Sequence, residues 1–334
     1  MWLRKILFPF SLVYALVVRV RNYLYDIGVF KASEFKTKTI CIGNLSVGGT
    51  GKTPMVEYLV SYLAPAHKCA VLSRGYKRKS QGFLLANNDS TVAELGDEPY
   101  QIHAKFHEVA VAVDADRRNG IRILEEKVAP DVILLDDAFQ HRKVKADLNI
   151  LLTAFGKLYA DDWYLPTGNL RDSRSGAKRA DLIIVTKCPP ELSEVERTGI
   201  RRRLEPQAHQ KVVFSTLEYE NEFPGGSASR ELTFFKDKKL TLVTGIADPQ
   251  PLTDYLTAQG VRFEHLKYPD HHFFTTAELR TLNEKALILT TEKDYVRLKE
   301  KVADLFYIPV KHRFLGDDAS VLNKELADFM KRDS

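Results

Sequence analysis

Cys41-Ile-Gly-Asn-Leu-Ser-Val-Gly-Gly-Thr-Gly-Lys-Thr-Pro54 is the stretch that decides the fold. The apolar run Thr39–Gly43 ahead of it reads as a short strand, and Lys52–Leu63 behind it reads as a helix. Between them, Gly48, Gly49 and Gly51 let the backbone curl until several N–H groups face one anion, and the helix N-terminus adds partial positive charge. Ser46, Val47, Gly48, Gly49, Thr50 and Gly51 would form the cradle, Lys52 would reach the outer phosphates, and Thr53 would ligate Mg²⁺. Pro54 falls in the first helical turn, where its missing N–H costs little. The usual spacing is G-x-x-x-x-G-K-[ST], and its first position is here Ser46.

Such a loop needs an acidic residue at the end of an apolar strand. Val132-Ile-Leu-Leu-Asp136-Asp137 supplies one, with Asp136 aimed at the loop as a metal ligand and Asp137 as a second ligand or helper. Further strands are expected at Cys69–Ser73, Val109–Val113, Leu148–Leu152 and Leu182–Thr186, with helical stretches between several of them. This alternation predicts an α/β fold, a parallel sheet wrapped by helices. Around Glu220–Arg230 the composition turns to NEFPGGSASR, a linker or hairpin tip. A second β/α series follows, with strands at Leu240–Thr244, Phe263–Tyr268, Leu287–Thr290 and Phe306–Val310 and helices from Pro249, at Thr276–Asn283 and at Asp294–Lys299. The expected organisation is therefore an N-terminal helix (1–30), a P-loop domain (31–219) and a smaller second α/β domain (220–334) that completes a cleft.

The chain has 334 residues, of which 44% are hydrophobic and 28% charged, so disorder throughout is excluded and two domains are the natural expectation. Its net charge of +5 permits contact with phosphate or anionic lipid but gives no argument for nucleic acid. Cys41, Cys69 and Cys188 stand far apart without CxxC spacing, which supports neither a zinc site nor a disulfide framework. Cys41 and Cys69 lie in apolar runs and read as buried thiols, which suits a reducing cytoplasm.

Residues 6–18 form an uncharged apolar run, shorter than the roughly twenty residues a bilayer span needs. At 100° per residue, Arg4, Ser11, Ala15, Arg19, Asn22 and Asp26 gather on one side, and Trp2, Ile6, Phe10, Val13, Val17, Val20 and Leu24 on the other. The run ends in Arg-Val-Arg-Asn-Tyr, not in a small-residue cleavage site, which argues against a signal peptide. A helix packed on the protein's own core and an interfacial helix with basic flanks and Trp2, Tyr14, Tyr23 and Tyr25 along it remain, and the second fits better.

Two polar clusters can carry acid-base chemistry. Asp97 and Glu98, in Gly-Asp-Glu-Pro, stand at a helix start, where capping and general-base catalysis are both open. Asp270, His271 and His272 form the other, a proton relay or a satisfied loop pair. The basic loops Ser73–Lys79 and Leu165–Arg171 follow or precede strands, and guanidinium groups there, Arg171 included, are candidates to hold phosphate.

Taken in order, GNLSVGGTGKTP (43–54), SRGYKRK (73–79), GDEP (96–99), LLDDAFQH (134–141), LPTGNLR (165–171), TGIADP (244–249), YPDHHF (268–273) and TTEKD (290–294) resemble the tetraacyldisaccharide 4'-kinase family nearly end to end. The resemblance implies two α/β domains, the first of P-loop type, with the active site between them. It implies transfer of the γ-phosphate of ATP to the 4'-hydroxyl of tetraacyldisaccharide 1-phosphate, giving lipid IVA. It further implies Mg²⁺ as cofactor and a place at the cytoplasmic face of the bacterial inner membrane, and we expect a monomer. Carried over, Lys52 and Thr53 bind phosphate and Mg²⁺, Asp136 and Asp137 match the acidic motif, Asp97 is the base and Glu98 a metal-side carboxylate. The base's histidine from the second domain matches His271, with His272 one residue away. Where the family often has Gly, this chain has Lys77 and Ala138, and neither change removes a functional group. A membrane-associated partitioning ATPase would want Lys where Val47 stands, and a scaffold without catalysis would leave these motifs idle.

Overall fold

The computed structural model describes residues 2–226 and 228–332. Nothing is described of the side chains of Trp2 and Leu3, so the expected interfacial place of the Trp2 ring lies outside the described residues. Helices α1 (Trp2–Ile6) and α2 (Phe8–Asp26) lead into β1 (Lys38–Asn44), α3 (Lys52–Leu63), β2 (Cys69–Ser73), β3 (Leu84–Leu85), α4 (Val92–Leu95) and α5 (Asp97–Lys105). Next come β4 (Ala110–Val113), α6 (Arg117–Lys127), β5 (Val132–Asp136), β6 (Leu148–Ala154), β7 (Leu182–Thr186), α7 (Glu194–Leu204) and β8 (Lys211–Tyr219).

A hairpin of β9 (Glu222–Phe223) and β10 (Arg230–Glu231) occupies the stretch read as a linker. Then follow β11 (Leu240–Thr244), α8 (Gln250–Ala258), β12 (Phe263–Lys267), α9 (Thr276–Asn283), β13 (Ile288–Thr291), α10 (Glu292–Leu298), β14 (Leu305–Ile308), β15 (Val310–Phe314) and α11 (Asp318–Lys331).

Nine strands form one sheet in the order β15-β8-β7-β6-β1-β5-β2-β4-β3. All its pairings are parallel except β15 with β8 and β3 with β4 at the two edges. β1 lies centrally, and the chain crosses from one side of it to the other between β5 and β6. The crevice at the carboxyl ends of such strands is where ligands bind in open α/β sheets. Side chains alternate across β1: Cys41 joins the core on one face, Ile40 and Ile42 the core on the other. All three cysteines are buried free thiols, and burial pushes the pKa of Cys41 up to about 12.

The smaller sheet, β12-β11-β13-β14, is wholly parallel and has its own cores on both faces. It ends earlier than a unit running from 220 to 334 implies. Pro309 has no N–H to continue a ladder, and the single strand expected at Phe306–Val310 is instead two, β14 and β15, one on each side of it. β15 turns away to pair with β8 of the large sheet, and α11 packs on that sheet's core through Leu322, Leu326 and Phe329. The smaller sheet is thus an insertion between β8 and β15, tied at both ends.

Helix α2 docks with its polar face inward. Ser11 Oγ donates to Tyr164 C=O at 3.0 Å and accepts the Thr167 N–H at 3.0 Å. Tyr14 donates to Arg171 C=O at 3.1 Å, and Asn22 Nδ2 to Asp172 Oδ1 at 2.7 Å. The opposite face stays uncovered: Phe10 is 65% exposed, Val13 62% and Val17 62%, and Ile6 of α1 is 73% exposed. No described helix is long and apolar enough to cross a membrane.

Candidate active site

β1 delivers the chain to the glycine loop at the centre of the sheet. Gly51, at φ +81, is the residue before α3, and a Cβ there would lie 3.1 Å from the His312 ring, so the left-handed turn and the close neighbour both ask for glycine. Two outer strands brace the loop from outside: Thr186 Oγ1 donates to Thr50 C=O at 2.8 Å, and His312 Nε2 lies 2.9 Å from Gly51 C=O. Val47 is expected in the cradle, but its N–H is donated to Asn169 C=O at 2.7 Å and does not face the loop's interior. Ser46 forms a bridge with Leu170. Lys52 Nζ rests 3.3 Å from Asn44 Oδ1 and 3.6 Å from Asp137.

At the end of β5 the two carboxylates part company. Asp136 is buried, accepts a hydrogen bond from Ser73 Oγ at 3.0 Å, and receives the Arg117 guanidinium only on its backbone carbonyl, at 3.2 Å. Burial first, then the charges of Asp137 and Glu98, push its pKa up to about 6 against the pull of Lys52. Asp137 stands in a left-handed conformation at φ +47. Its own burial is outweighed by Lys52 and Arg171, which hold it below the usual carboxylate range.

Arg171 grips Asp137 with both terminal nitrogens and donates to Asn44 Oδ1 at 2.6 Å. The residue expected as a second metal ligand or helper and the guanidinium expected to hold phosphate pair with each other here: Asp137 meets Arg171 and Lys52, and Arg171 braces the strand end beneath the cradle.

The second polar centre assembles residues far apart in sequence. Gly96, at φ +89, lets α5 start against the backbone of the Ser73–Lys79 loop, where a Cβ would meet Tyr76 C=O at 3.0 Å. Asp97, first in α5 and only 4% exposed, meets His271 Nδ1 at 2.7 Å through Oδ2 and Arg297 Nε at 2.6 Å through Oδ1. Lys293 Nζ lies 3.0 Å from His271 Nε2. An ammonium donates only, so Nε2 accepts and Nδ1 carries the proton toward Asp97. Burial would raise the Asp97 pKa, but the hydrogen bonds of His271 and Arg297 and the charges of Arg297 and Lys293 hold it low.

His271 sits at φ +62 with its N–H on Gly245 C=O at 3.2 Å, while the Gly245 N–H donates to Asp294 at 2.8 Å. Tyr76 meets the His271 ring edge-on at 5.3 Å. His272 points elsewhere, 3.0 Å from Glu278 at the start of α9 and stacked on Tyr268. Between the two histidines, geometry selects His271.

Asp97, Glu98 and His271 are the described acidic and histidine groups that converge closely enough to suggest a metal. They make a poor Mg²⁺ site: both Asp97 oxygens carry donors, Glu98 faces Lys293 at 3.3 Å, and Mg²⁺ prefers oxygen ligands. Asp136, buried without a side-chain cation at contact distance and raised by neighbouring negative charge, has the character of a cation ligand. Lys293 and Arg297 were not found from sequence. Lys293 belongs to the TTEKD segment and Arg297 lies four residues further along α10, so the two share a helix face.

A parallel sheet with a glycine cradle at its central strand, a lysine and threonine opening the next helix, and a buried carboxylate one strand away defines a P-loop phosphotransferase. The family model described as Tetraacyldisaccharide-1-P 4'-kinase matches residues 3–331. The tetraacyldisaccharide 4'-kinases of Flavobacterium johnsoniae and Flavobacterium psychrophilum are 49% and 46% identical to the chain, covering 96% and 99% of it and 96% and 98% of their own lengths. The crystal structure of LpxK from Aquifex aeolicus in complex with ATP matches at a TM-score of 0.81 and 31% identity, over 98% of this chain and 99% of that one. The chain belongs to the tetraacyldisaccharide-1-P 4'-kinase family.

Proposed function

We propose that Asp97 is the general base of this kinase, oriented by His271 and Arg297, and that α2 holds the enzyme on the cytoplasmic face of the inner membrane. The reaction is transfer of the γ-phosphate of ATP to the 4'-hydroxyl of tetraacyldisaccharide 1-phosphate in lipid A biosynthesis. The observation that carries the assignment of the base is the 2.7 Å contact between His271 and Asp97, residues 174 apart in sequence and contributed by different sheets' elements.

The cradle's glycine N–H groups and Lys52 bind the triphosphate, and Asp136 and Thr53 would hold Mg²⁺, with Glu98 close by. Bound there, Mg²⁺ neutralises charge on the β- and γ-phosphates. Asp97, ionised and fixed by two partners, accepts the sugar hydroxyl's proton as the oxygen attacks. His271, protonated at Nδ1 and held at Nε2 by Lys293, keeps the carboxylate turned toward the acceptor. Positioning and preset charge supply most of the acceleration. Closure of the smaller unit over the larger one excludes water from this reaction.

The exposed apolar face of α2 supports the membrane reading. A helix serving its own core would turn Phe10, Val13 and Val17 inward; this one turns Ser11, Ala15 and Asn22 inward instead. Lipid is the partner that such a face fits.

The test is Asp97→Asn, which keeps the size and loses the base. We expect kcat to fall about 10²–10⁴-fold with KM for either substrate little changed. An unchanged kcat would remove Asp97 from the mechanism.

A further inference from the structure

Lys187 is a cation at the cradle that the mechanism above does not use. It follows directly on β7, whose last residue, Thr186, already donates to the loop at Thr50 C=O. Its backbone lies at φ +57, a left-handed conformation strained for a residue with a side chain. Its Nζ stands 3.9 Å from the place a Cβ on Gly49 would occupy, directly over the phosphate loop.

No hydrogen bond or ion pair to Lys187 occurs among the described residues. By surface area the residue is exposed. Crowding in the cleft nonetheless pulls its pKa below the ordinary lysine value, against the distant charge of Asp248. Lys52, by contrast, has Asn44 and Asp137 beside it.

Sheet order fixes the side from which each lysine approaches. In the run β7-β6-β1-β5, Asp136 at the end of β5 marks the metal and γ-phosphate side, and β7 lies on the other side of β1. A cation leaving β7 over Gly49 therefore meets the part of the nucleotide that is not transferred.

We propose that Lys187 is a second nucleotide-binding lysine, which closes the cradle from the β7 side and contacts the α-phosphate and ribose end of ATP. This rests on the loop being the ATP site. A contact made equally before and during transfer contributes to affinity and not to turnover.

The test compares Lys187→Met, which keeps the stem and removes the charge, with Lys187→Gly, which also relieves the left-handed backbone. Magnesium ADP binding is measured by titration calorimetry and ATP kinetics in parallel. Loss of one charge-assisted hydrogen bond, discounted for exposure, predicts about tenfold weaker ADP binding and about tenfold higher KM for ATP in both variants, with kcat within about twofold. Lys187→Gly is expected to melt no lower than the native chain, which separates binding from folding. Unchanged ADP affinity in both variants would overturn the proposal, as would a fall confined to kcat. Failure of the unaltered enzyme to bind magnesium ADP at all would overturn the ATP site itself along with it.

Discussion

Asp136 lies buried at the end of β5 with Asp137 next to it, and its pKa, pushed up to about 6, would make a proton compete with the proposed Mg²⁺ for the same oxygens. The folded pKa is raised, so the carboxylate form a cation needs is present above about 6 and is lost as pH falls through it. The KM for Mg²⁺ should therefore rise about tenfold per pH unit below that value and stay flat above it. Kinase assays at graded Mg²⁺ between about pH 5 and 8 measure this, and a flat KM throughout would exclude Asp136 as the ligand.

Asp97 shows the opposite balance, because His271 and Arg297 hold it below the usual carboxylate range in spite of burial. In Arg297→Met the burial remains and the guanidinium partner is gone. The acid limb of the kcat profile should then move to higher pH, with activity lost at mildly acid pH and partly kept at alkaline pH. A profile merely scaled down would assign Arg297 to packing. The Asp97 position was legible in Gly-Asp-Glu-Pro, but capping and base chemistry look alike there until the 200-residue gap to Arg297 is closed in space. His271 and His272 were likewise equivalent in one dimension; only the turn at Gly245 and the carboxylate of Glu278 tell them apart.

The elements divide into those with a local signature and those made by distant pairing. β1, α3 and β5 could be read because glycine spacing and apolar runs mark them, and buried parallel strands are apolar along their whole length. β8 and β15 could not: Lys211–Tyr219 and Val310–Phe314 mix polar and apolar residues, and each owes its place to the other's antiparallel edge. Helix α2 was read correctly as amphipathic, yet its wheel alone leaves open which face turns inward. Ser11, Tyr14 and Asn22 settle that by bonding to the 164–172 segment. Because the apolar face owes nothing to the fold, Val13→Glu with Val17→Glu should leave the melting temperature within about 2 °C, as surface changes do. The same pair should cut partition onto anionic vesicles at least about tenfold, since each apolar side chain inserted contributes about 1.5–3 kcal/mol. Flotation with vesicles reads the second effect and calorimetry the first. Retained flotation would move membrane contact to another surface.

At the scale of the whole molecule, three helices that bear the proposed site residues are joined by one lysine. α3 begins with Lys52, α5 with Asp97, and α10 brings Lys293 and Arg297 from the smaller unit. Lys105 of α5 lies 2.7 Å from Glu57 of α3 and 3.1 Å from Glu292 of α10, and Gln101 donates to Glu57 at 2.7 Å. Burial and mutual repulsion raise both carboxyls above their usual range, Glu292 to about 7. Tyr307 and Glu220 also face this cluster, and Lys105 is its cation. Removing that cation in Lys105→Met strands two buried carboxylates. Losing one partner of a fully buried pair costs about 3–5 kcal/mol, and the partial exposure of Lys105 brings the expected loss to about 1–3 kcal/mol. The sign with pH follows from the raised pKa values: the folded state binds protons more tightly than the unfolded one, so stability falls as pH rises from the ordinary glutamate range to about 7 and levels off above it. The variant should accordingly be nearest to the parent in denaturant titrations at acid pH and furthest from it at alkaline pH. Glu292→Gln added to Lys105→Met should recover part of the loss, because one of the stranded charges is then absent. A deficit that is the same at every pH, with no recovery in the double variant, would mean that Lys105 acts through its methylene packing and not through its charge.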